Sequence, residues 1–355
     1  MLLETSKNFK DFELLDSGLG YRLERWGGAI LQRPDPQIIW QCSLPNEEWE
    51  KASAVFETPS GTEKGRWEIK KPLPDPWIIN FHHPHPASSA GQALASPVTP
   101  RLSLGVTLSK AERVKGEETA PVKFLLKLSP FKHTGLFAEQ AAQWEWMINR
   151  ISNFESGVSN GNKIQNSKFK ILNLFAYTGG ATMVLAKAGC QVTHVDASKP
   201  AITWANENYK LNFAPVGNGL DRSILDGSRP VPTQTNVRWI LDDAVKFVKR
   251  EVKRGVKYQG IIMDPPAFGH SPTGKTWKFN EDLPGLLADC VELLSDDAKF
   301  LIINGYATNS SALALNNLLE DASKNLDGQI EFGELCLKQK SDRLISTGIF
   351  ARWAN

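Results

Sequence analysis

The fold is decided by the stretch KILNLFAYTGG, which spans residues 170–180. Residues 170–175 form an apolar run of strand length, and residues 176–180 form a glycine-containing turn. Residues 181–188 continue with a helical pattern, so the stretch predicts a buried strand, a tight turn and a helix. Glycine in such a turn lets the backbone approach a ligand, and the free N–H groups at the start of the helix suit the polar amino-acid tail of a ligand.

The same alternation of strand and helix continues toward the C-terminus. Strands are predicted at 191–195, 237–241, 258–263 and 299–304, and helices at 199–211, 244–254, around 286–294 and at 312–322. A polar insertion at 212–234 interrupts the pattern. Two late strands, 330–337 and 344–352, have little helix between them. The pattern predicts an α/β fold with a doubly wound, mostly parallel, Rossmann-like sheet and an antiparallel edge.

The N-terminal third has a different pattern. Short runs separated by Gly and Pro predict a small β-rich domain over residues 1–81. Residues 82–121 are rich in Pro and Ser and predict a linker or insertion, which leaves 122–355 as the catalytic domain. Histidines at 82, 83 and 85 raise the alternative of a metal site. No cysteine or acidic partner stands at ligand spacing and the flanking prolines favour an extended backbone, so we predict no metal.

Composition limits the possible partners. With 41% apolar residues, 23% charged residues and 11 tryptophans in 355 residues, the chain is predicted to fold. A net charge of +2 is too weak to indicate a nucleic-acid or membrane partner by itself. No apolar run is long enough to cross a bilayer, so we predict no membrane partner and a cytoplasmic location, with nuclear and organellar locations left open. The sequence does not indicate an oligomeric state. Isolated cysteines at 42, 190, 290 and 336 predict reduced, buried thiols.

Acidic side chains follow the predicted strands at the edge where ligands bind in wound sheets. Asp196 follows the second strand, where its carboxylate suits a ribose diol. Asp243 follows the third strand and suits an adenine amino group. The alternative for each acid is a helix cap. A nicotinamide dinucleotide is disfavoured because the first turn has a Gly179-Gly180 pair instead of G-x-G-x-x-G.

The segment DPPAF, residues 264–268, follows the fourth strand. Two consecutive prolines, Pro265 and Pro266, make this loop rigid and leave carbonyls that can hold an amino group. Asp264 and the Pro265 carbonyl are candidates for orienting the nucleophile. Phe268 is a candidate for stacking on a flipped or single-stranded base, with ordinary packing as the alternative. The candidate catalytic residues are Asp264, Pro265, Pro266 and Phe268.

The first turn, the D-P-P-x-F loop and the segment FKHTGLFAEQ at 131–140 together resemble the class I S-adenosylmethionine-dependent methyltransferases. They are most similar to a large-subunit ribosomal-RNA methyltransferase family that includes 5-methylcytosine enzymes. The resemblance covers about residues 124–353, with His133 and Ala141 standing where the family has Lys and Arg. It implies S-adenosylmethionine as cofactor. The candidate cofactor-binding residues are Gln140, Asn173, Phe175, Tyr177, Thr178, Gly179, Asp196, Asp243 and Asp264.

The methyl acceptor is predicted from a missing cysteine. Methylation of cytosine carbon 5 requires a thiolate, which the resemblance places just after the strand that follows D-P-P. That strand here ends in Asn304-Gly305-Tyr306-Ala307-Thr308, and Cys290 lies in a predicted helix. We therefore expect a nitrogen or oxygen acceptor, with RNA as the favoured substrate. A small-molecule or protein methyltransferase and a non-catalytic S-adenosylmethionine-binding module are the alternatives.

The predicted helix at 244–254 has a basic face that bears on the RNA prediction. Its cations are Lys246, Lys249, Arg250, Lys253 and Arg254, with Lys257 just beyond. This face is a candidate phosphate contact, and a solvated helix surface is the alternative.

Overall fold

The computed structural model describes residues 1–58, 65–82, 120–155, 169–214, 236–270 and 276–355. Most of the predicted linker at 82–121, including the histidines at 83 and 85, lies outside these residues, as does most of the insertion at 212–234. The division into domains at residues 81 and 121 stays a prediction. No helix in the described ranges combines the length and the apolar character that crossing a membrane requires.

The main sheet contains eight strands. They are β1 (Leu2–Glu4), β9 (Lys170–Leu174), β10 (Gln191–Asp196), β11 (Val237–Leu241), β12 (Gly260–Met263), β15 (Phe300–Gly305), β16 (Gln329–Lys338) and β17 (Leu344–Ala354). Their order in the sheet is β1-β16-β17-β15-β12-β9-β10-β11. All neighbours are parallel except β17, which is antiparallel to both β15 and β16. The predicted mostly parallel sheet with an antiparallel edge is therefore confirmed.

The outermost strand on the antiparallel side was not predicted. Leu2–Glu4 pairs in parallel with Gly333–Leu335 of β16. Three residues are too few to show the two-residue periodicity of a strand, so no local pattern identifies this one. The first residues of the chain thus pair with a strand near its C-terminus.

Helices cover the main sheet. They are α2 (Ala141–Glu155), α3 (Gly180–Lys187), α4 (Lys199–Phe213), α5 (Ala244–Lys253), α6 (Phe279–Glu292) and α7 (Ala312–Ser323), preceded in the chain by the short α1 (Asn46–Trp49). The predicted start of α6 near residue 286 is wrong. Phe279, Leu283, Leu286 and Leu287 are all buried on one helical face, so packing outweighs the helix-breaking tendency of Pro284.

Helix α2 has no counterpart among the predictions. It follows a 3-10 turn, Ala138–Gln140, and buries Trp144, Met147, Ile148 and Ile151. That spacing of three and four residues is the pattern of a helix packed on one side. These buried positions are a local signal for the helix that is readable in the sequence.

The N-terminal residues form a second sheet. Its strands are β2 (Phe12–Gly18), β3 (Tyr21–Trp26), β4 (Ala29–Pro34), β5 (Ala54–Glu57) and β6 (Arg66–Ile69), in that order. The antiparallel β2-β3-β4 meander confirms the predicted β-rich unit. A separate pair joins β7 (Ile78–Phe81) to β8 (Val122–Leu125), and the ring of Phe81 lies 5.3 Å from that of Trp144 on α2. Buried residues of the two larger sheets, such as Trp26 of β3 and Ile171 of β9, belong to the same hydrophobic core.

The topology places the site. From β9 the chain winds through β10 to β11 on one side and then returns to β12 on the other side of β9. This reversal opens a crevice at the carboxyl ends of β9 and β12, where wound sheets bind their ligands. A hairpin of β13 (Phe268–His270) and β14 (Thr276–Lys278) stands beside it.

Candidate active site

A cavity of about 960 Å³ opens at this crevice, near the upper end of the roughly 300–1,000 Å³ usual for small-molecule sites. It brings together nearly all of the predicted site residues. Those lining it are Gln140, Asn173, Phe175, Tyr177, Thr178, Asp196, Asp243, Asp264, Pro265, Pro266 and Phe268. Gly179 is the one predicted residue that does not line it. The described residues contain no group of three or more His, Cys, Asp or Glu side chains placed to hold a metal ion.

The turn after β9 has an unusual backbone. Phe175, Tyr177 and Gly179 have φ of +53°, +50° and +85°, which is the left-handed region. For a residue with a Cβ this conformation costs about 1–3 kcal/mol and is concentrated at functional sites. Gly179 is the N-cap of α3, and a Cβ there would point toward Met183 and Ala205. Gly179 therefore shapes the turn, and its contact with the cofactor stays a prediction.

Asp196 is held by the same turn. Its Oδ2 accepts the backbone N–H of Tyr177 at 2.8 Å, and its Oδ1 accepts that of Ser198 at 2.8 Å. Burial raises the pKa of Asp196, although these two N–H donors act against the rise. Each carboxylate oxygen has a second lone pair available to a ligand. The carboxylate is thus fixed in orientation at the cavity wall.

Asp243 lies where it can cap a helix and also contact a ligand. Its Oδ1 caps α5 by accepting the backbone N–H of Lys246 at 3.0 Å, and the residue lines the cavity. Asp242 beside it accepts from the Asp243 N–H at 2.8 Å and from the Arg250 guanidinium. The cap is therefore real, and the adenine contact stays a prediction.

The loop after β12 contains a half-buried acid, Asp264. Gln140 Nε2 donates to Asp264 Oδ2 at 3.0 Å. Burial, reinforced by the nearby carboxylate of Glu139, raises the pKa of Asp264 to about 7. The Pro266 carbonyl accepts the indole N–H of Trp277 at 2.8 Å, which ties the loop to hairpin β13–β14. Pro266 thus anchors the loop, and Phe268 stands 70% exposed at the rim of the cavity.

The segment from Phe131 to Gln140 forms part of the cavity wall. The Thr178 hydroxyl donates to the carbonyl of Gly135. Gly135 has φ of +92°, and a Cβ there would lie 2.0 Å from the ring of Trp204. Only glycine fits this close approach. Thr178 is 1% exposed, so its side chain acts chiefly on this segment.

His133 gives this segment an uncharged ring. Burial and the adjacent cations Arg33 and Lys132 lower the pKa of His133 to about 3. The ring is therefore neutral at physiological pH and lies 5.0 Å from that of Phe137. Where the resembling family has a lysine, this chain has an aromatic surface.

Several lining residues were not predicted. Phe131, Phe137 and Tyr306 line the cavity, with the Phe137 ring 5.8 Å from Tyr177 and 6.2 Å from Tyr306. Asn304 lines it as well and donates to Gln140 Oε1 at 3.1 Å. Phe131 and Phe137 stand inside the quoted segment FKHTGLFAEQ, so their aromatic character was the available signal. The signal for Asn304 was its place as the polar residue at the carboxyl end of the predicted strand 299–304.

A solved structure matches the whole chain. The crystal structure of an S-adenosylmethionine-dependent methyltransferase from Agrobacterium tumefaciens is 31% identical, with a TM-score of 0.75. The match covers 100% of this chain and 93% of that one. No family model matches the chain.

Curated relatives match smaller parts. Ribosomal RNA large subunit methyltransferase K/L of Shewanella frigidimarina is 28% identical in a match over 216 residues that covers 56% of this chain and 25% of that protein. Ribosomal RNA large subunit methyltransferase I of Klebsiella pneumoniae is 35% identical over 100 residues, which are 28% of this chain and 20% of that protein. The chain thus spans about a quarter or less of the length of these relatives.

A wound sheet with a cavity at its switch point, walled by a held carboxylate and a left-handed turn, defines a Rossmann-like nucleotide-cofactor enzyme fold. Near-complete coverage of the Agrobacterium structure narrows this class. The chain belongs to the S-adenosylmethionine-dependent methyltransferases.

Proposed function

We propose that this protein transfers the methyl group of S-adenosylmethionine to a nitrogen or oxygen atom of an RNA base. The observation that carries the proposal is the loop DPPAF at the cavity, which holds both the half-buried acid Asp264 and the exposed aromatic Phe268. A base that stacks on Phe268 lies within reach of an acceptor oxygen.

The residues of the cavity fit the cofactor. The fixed carboxylate of Asp196 suits the ribose diol, and Asp243 suits the adenine amino group. The free N–H groups at the start of α3 suit the carboxylate of the amino-acid tail. The side-chain amides of Gln140 and Asn304 are hydrogen-bonded to each other at the cavity wall, next to Asp264. When bound, S-adenosylmethionine supplies an electrophilic methyl group on a sulfonium.

The protein's own part in the reaction is positioning. Asp264 and the Pro265 carbonyl accept hydrogen bonds from an amino or hydroxyl nucleophile and aim its lone pair. Ionised Asp264 accepts two such hydrogen bonds, or it takes the proton that the nucleophile loses. Its raised pKa leaves the acid and the carboxylate in similar amounts at neutral pH. The two prolines hold these acceptors at fixed positions.

The choice of a nitrogen or oxygen acceptor rests on the cysteines. None of the residues described as lining the cavity is a cysteine. Cys290 is fully buried in α6, where burial raises the pKa of its thiol, and burial raises the pKa of Cys336 to about 11. Neither supplies the thiolate that attack on carbon 6 of cytosine needs.

The choice of RNA rests on two observations. Phe131 and Phe268 are 50% and 70% exposed at the cavity, and exposed aromatic rings stack on unpaired bases with about 1–3 kcal/mol per base. The curated relatives are named ribosomal RNA methyltransferases. Since they match only part of their length, the RNA substrate of this chain is inferred from the site together with their names.

The test is transfer of tritiated methyl from S-adenosylmethionine into extract from cells that lack this gene. We expect label that RNase releases with the wild type. We expect about 10²-fold less label with Asp264→Ala, because the nucleophile loses its acceptor. Asp321→Ala, an exposed acid on α7, is the matched control and should label like the wild type.

The outcomes separate the alternatives. Label that survives RNase and is released by protease, or that dialyses away, would contradict the RNA substrate and favour a protein or small-molecule acceptor. No label in any fraction, together with calorimetric binding of the cofactor, would contradict the proposed catalysis and favour a non-catalytic binding module.

A further inference from the structure

A chain of buried and half-buried side-chain hydrogen bonds runs from the C-terminal strand to the proposed active site. Arg352 Nη1 donates to Gln143 Oε1 at 2.9 Å, and Gln143 Nε2 donates to Asn304 Oδ1 at 3.1 Å. Asn304 Nδ2 then donates to Gln140 Oε1 at 3.1 Å, and Gln140 Nε2 donates to Asp264 Oδ2 at 3.0 Å. We call these three amides, together with Arg352 and Asp264, the amide relay.

Arg352 is fixed in its place. Its Nε donates to Glu331 at 2.8 Å and its Nη2 to Glu4 at 2.7 Å. The guanidinium is stacked against Trp146, 4.4 Å from the ring centroid, and the side chain is 2% exposed. The third nitrogen, Nη1, is left to face Gln143 on helix α2.

The relay has a defined direction for a chemical reason. An arginine has five N–H donors and no acceptor, and it stays protonated in proteins. Gln143 must therefore turn its oxygen toward Arg352 and its NH₂ group toward Asn304. The same requirement passes along Asn304 and Gln140. The last amide consequently turns its NH₂ group toward Asp264.

We infer that Arg352, Gln143 and Asn304 are positioning residues that set the direction of the amide relay so that Gln140 presents an N–H, and not a carbonyl, to Asp264. The Asp264 carboxylate then has a donor on Oδ2 and keeps Oδ1 for the substrate. The direction of the hydrogen bond at Asp264 is therefore set by Arg352, with three amide side chains between the two residues.

Other charges around Asp264 make this donor matter. Glu139, the other carboxylate acting on it, raises the pKa of Asp264, and Arg22 in turn acts on Glu139. Burial also favours the protonated acid. Among the described partners of the Asp264 side chain, Gln140 is the donor that favours the carboxylate.

The test reverses the relay without touching Asp264. In Gln143→Glu, both oxygens of the introduced carboxylate accept, so Asn304 must turn its NH₂ group toward that carboxylate and Gln140 must turn its oxygen to Asp264. A carboxylate facing a carbonyl is disfavoured, so the protonated acid is stabilised. We expect the titration midpoint of Asp264 to rise by about one to two pH units.

The readout is independent of catalysis. The Asp264 carboxyl carbon is followed by ¹³C NMR in protein labelled at aspartate, without cofactor, and its signal is assigned with Asp264→Asn. The inference rests on the proposed function for the importance of Asp264 but not for this titration. Failure of methyl transfer therefore leaves the titration result intact.

A double-mutant cycle removes the direct effect of the new charge. In the Gln140→Met background the relay ends before Asp264, so Gln143→Glu should then shift the midpoint by the Coulomb effect alone. A clearly larger shift with Gln140 present supports the relay. Equal shifts in both backgrounds, or an unchanged midpoint with Gln140 present, would overturn it.

A second variant covers the case in which Gln143→Glu fails to fold. Asn304→Asp also reverses Gln140, because both carboxylate oxygens accept. We expect Asn304→Asp to raise the titration midpoint of Asp264 as Gln143→Glu does. In the Gln140→Met background, only the smaller shift caused by the Coulomb effect of the new charge should remain. Absence of that excess counts against the relay in the same way.

Discussion

Asp243 caps helix α5 and also lines the cavity, so one carboxylate contributes to stability and, by our proposal, to binding. Serine caps helices about as well as aspartate but is shorter and uncharged. We expect Asp243→Ser to unfold at the wild-type denaturant midpoint while binding S-adenosylhomocysteine about tenfold more weakly, because a hydrogen bond to adenine is lost.

Asp243→Ala is the matched comparison. It should lose the same affinity and also about 1 kcal/mol of the free energy of unfolding, since the cap is gone. Titration calorimetry and urea unfolding measure the two quantities separately. Wild-type affinity in Asp243→Ser would show that the carboxylate serves the helix alone.

Some of the cations on the basic face of helix α5 are paired with acids of the same chain. Arg250 pairs with Asp242, and Arg254 pairs with the buried Glu251 at 3.0 Å. Lys249 and Lys253 are exposed on the same helix. The arginines are thus partly used within the chain, and the lysines remain as the candidates for phosphate contact.

We expect the double variant Lys249→Glu, Lys253→Glu to bind RNA more weakly, because two phosphate contacts are lost. The slope of log affinity against log salt should fall by about 1.4 for single-stranded RNA. Filter binding across a salt series measures it. Lys10→Glu with Lys324→Glu makes the same change in net charge elsewhere and should keep the slope. Equal behaviour of the two double variants would show that the α5 face is solvated surface.

At the scale of the whole molecule, a buried charge cluster joins the N-terminal sheet to the segment 131–140 at the cavity wall. Glu24 accepts from both nitrogens of the Arg33 fork, at 2.7 and 2.9 Å, and Arg33 also donates to the Lys132 carbonyl at 3.1 Å. Arg22 lies 3.5 Å from Glu24. Burial alone would raise the pKa of Glu24, but Arg33 and Arg22 hold it below its ordinary value.

We expect Glu24→Gln to lower the free energy of unfolding by about 3–5 kcal/mol, because two buried cations lose their partner. Glu57→Gln, which breaks the exposed pair with Arg66, should cost less than about 1 kcal/mol. Because the pKa of Glu24 is lowered on folding, its contribution is present above the unfolded pKa and lost as the pH falls through the folded one. The free energies of unfolding are measured with urea. Equal losses for Glu24→Gln and Glu57→Gln would argue against a stabilising role of the charge cluster.

The sequence by itself determined the alternation of strands and helices in the C-terminal two-thirds, and with it the mostly parallel sheet. Asp196, Asp243 and Asp264 were predicted as site residues because each stands within two residues of the end of a predicted strand, and parallel strands bring their carboxyl ends to one edge. These are local signals, written in periodicity and in the residue after each strand. Helix α2 was within reach of the same reasoning.

The tertiary structure decided what depends on contacts between distant residues. Leu2–Glu4 became the sheet edge through pairing with β16, and Arg352 came to face Gln143 through the packing of α2 on the sheet. The direction of the hydrogen bonds that end at Asp264 follows from that meeting. No window of sequence contains both ends of this network, because its side chains come together only when the first and last strands share one sheet.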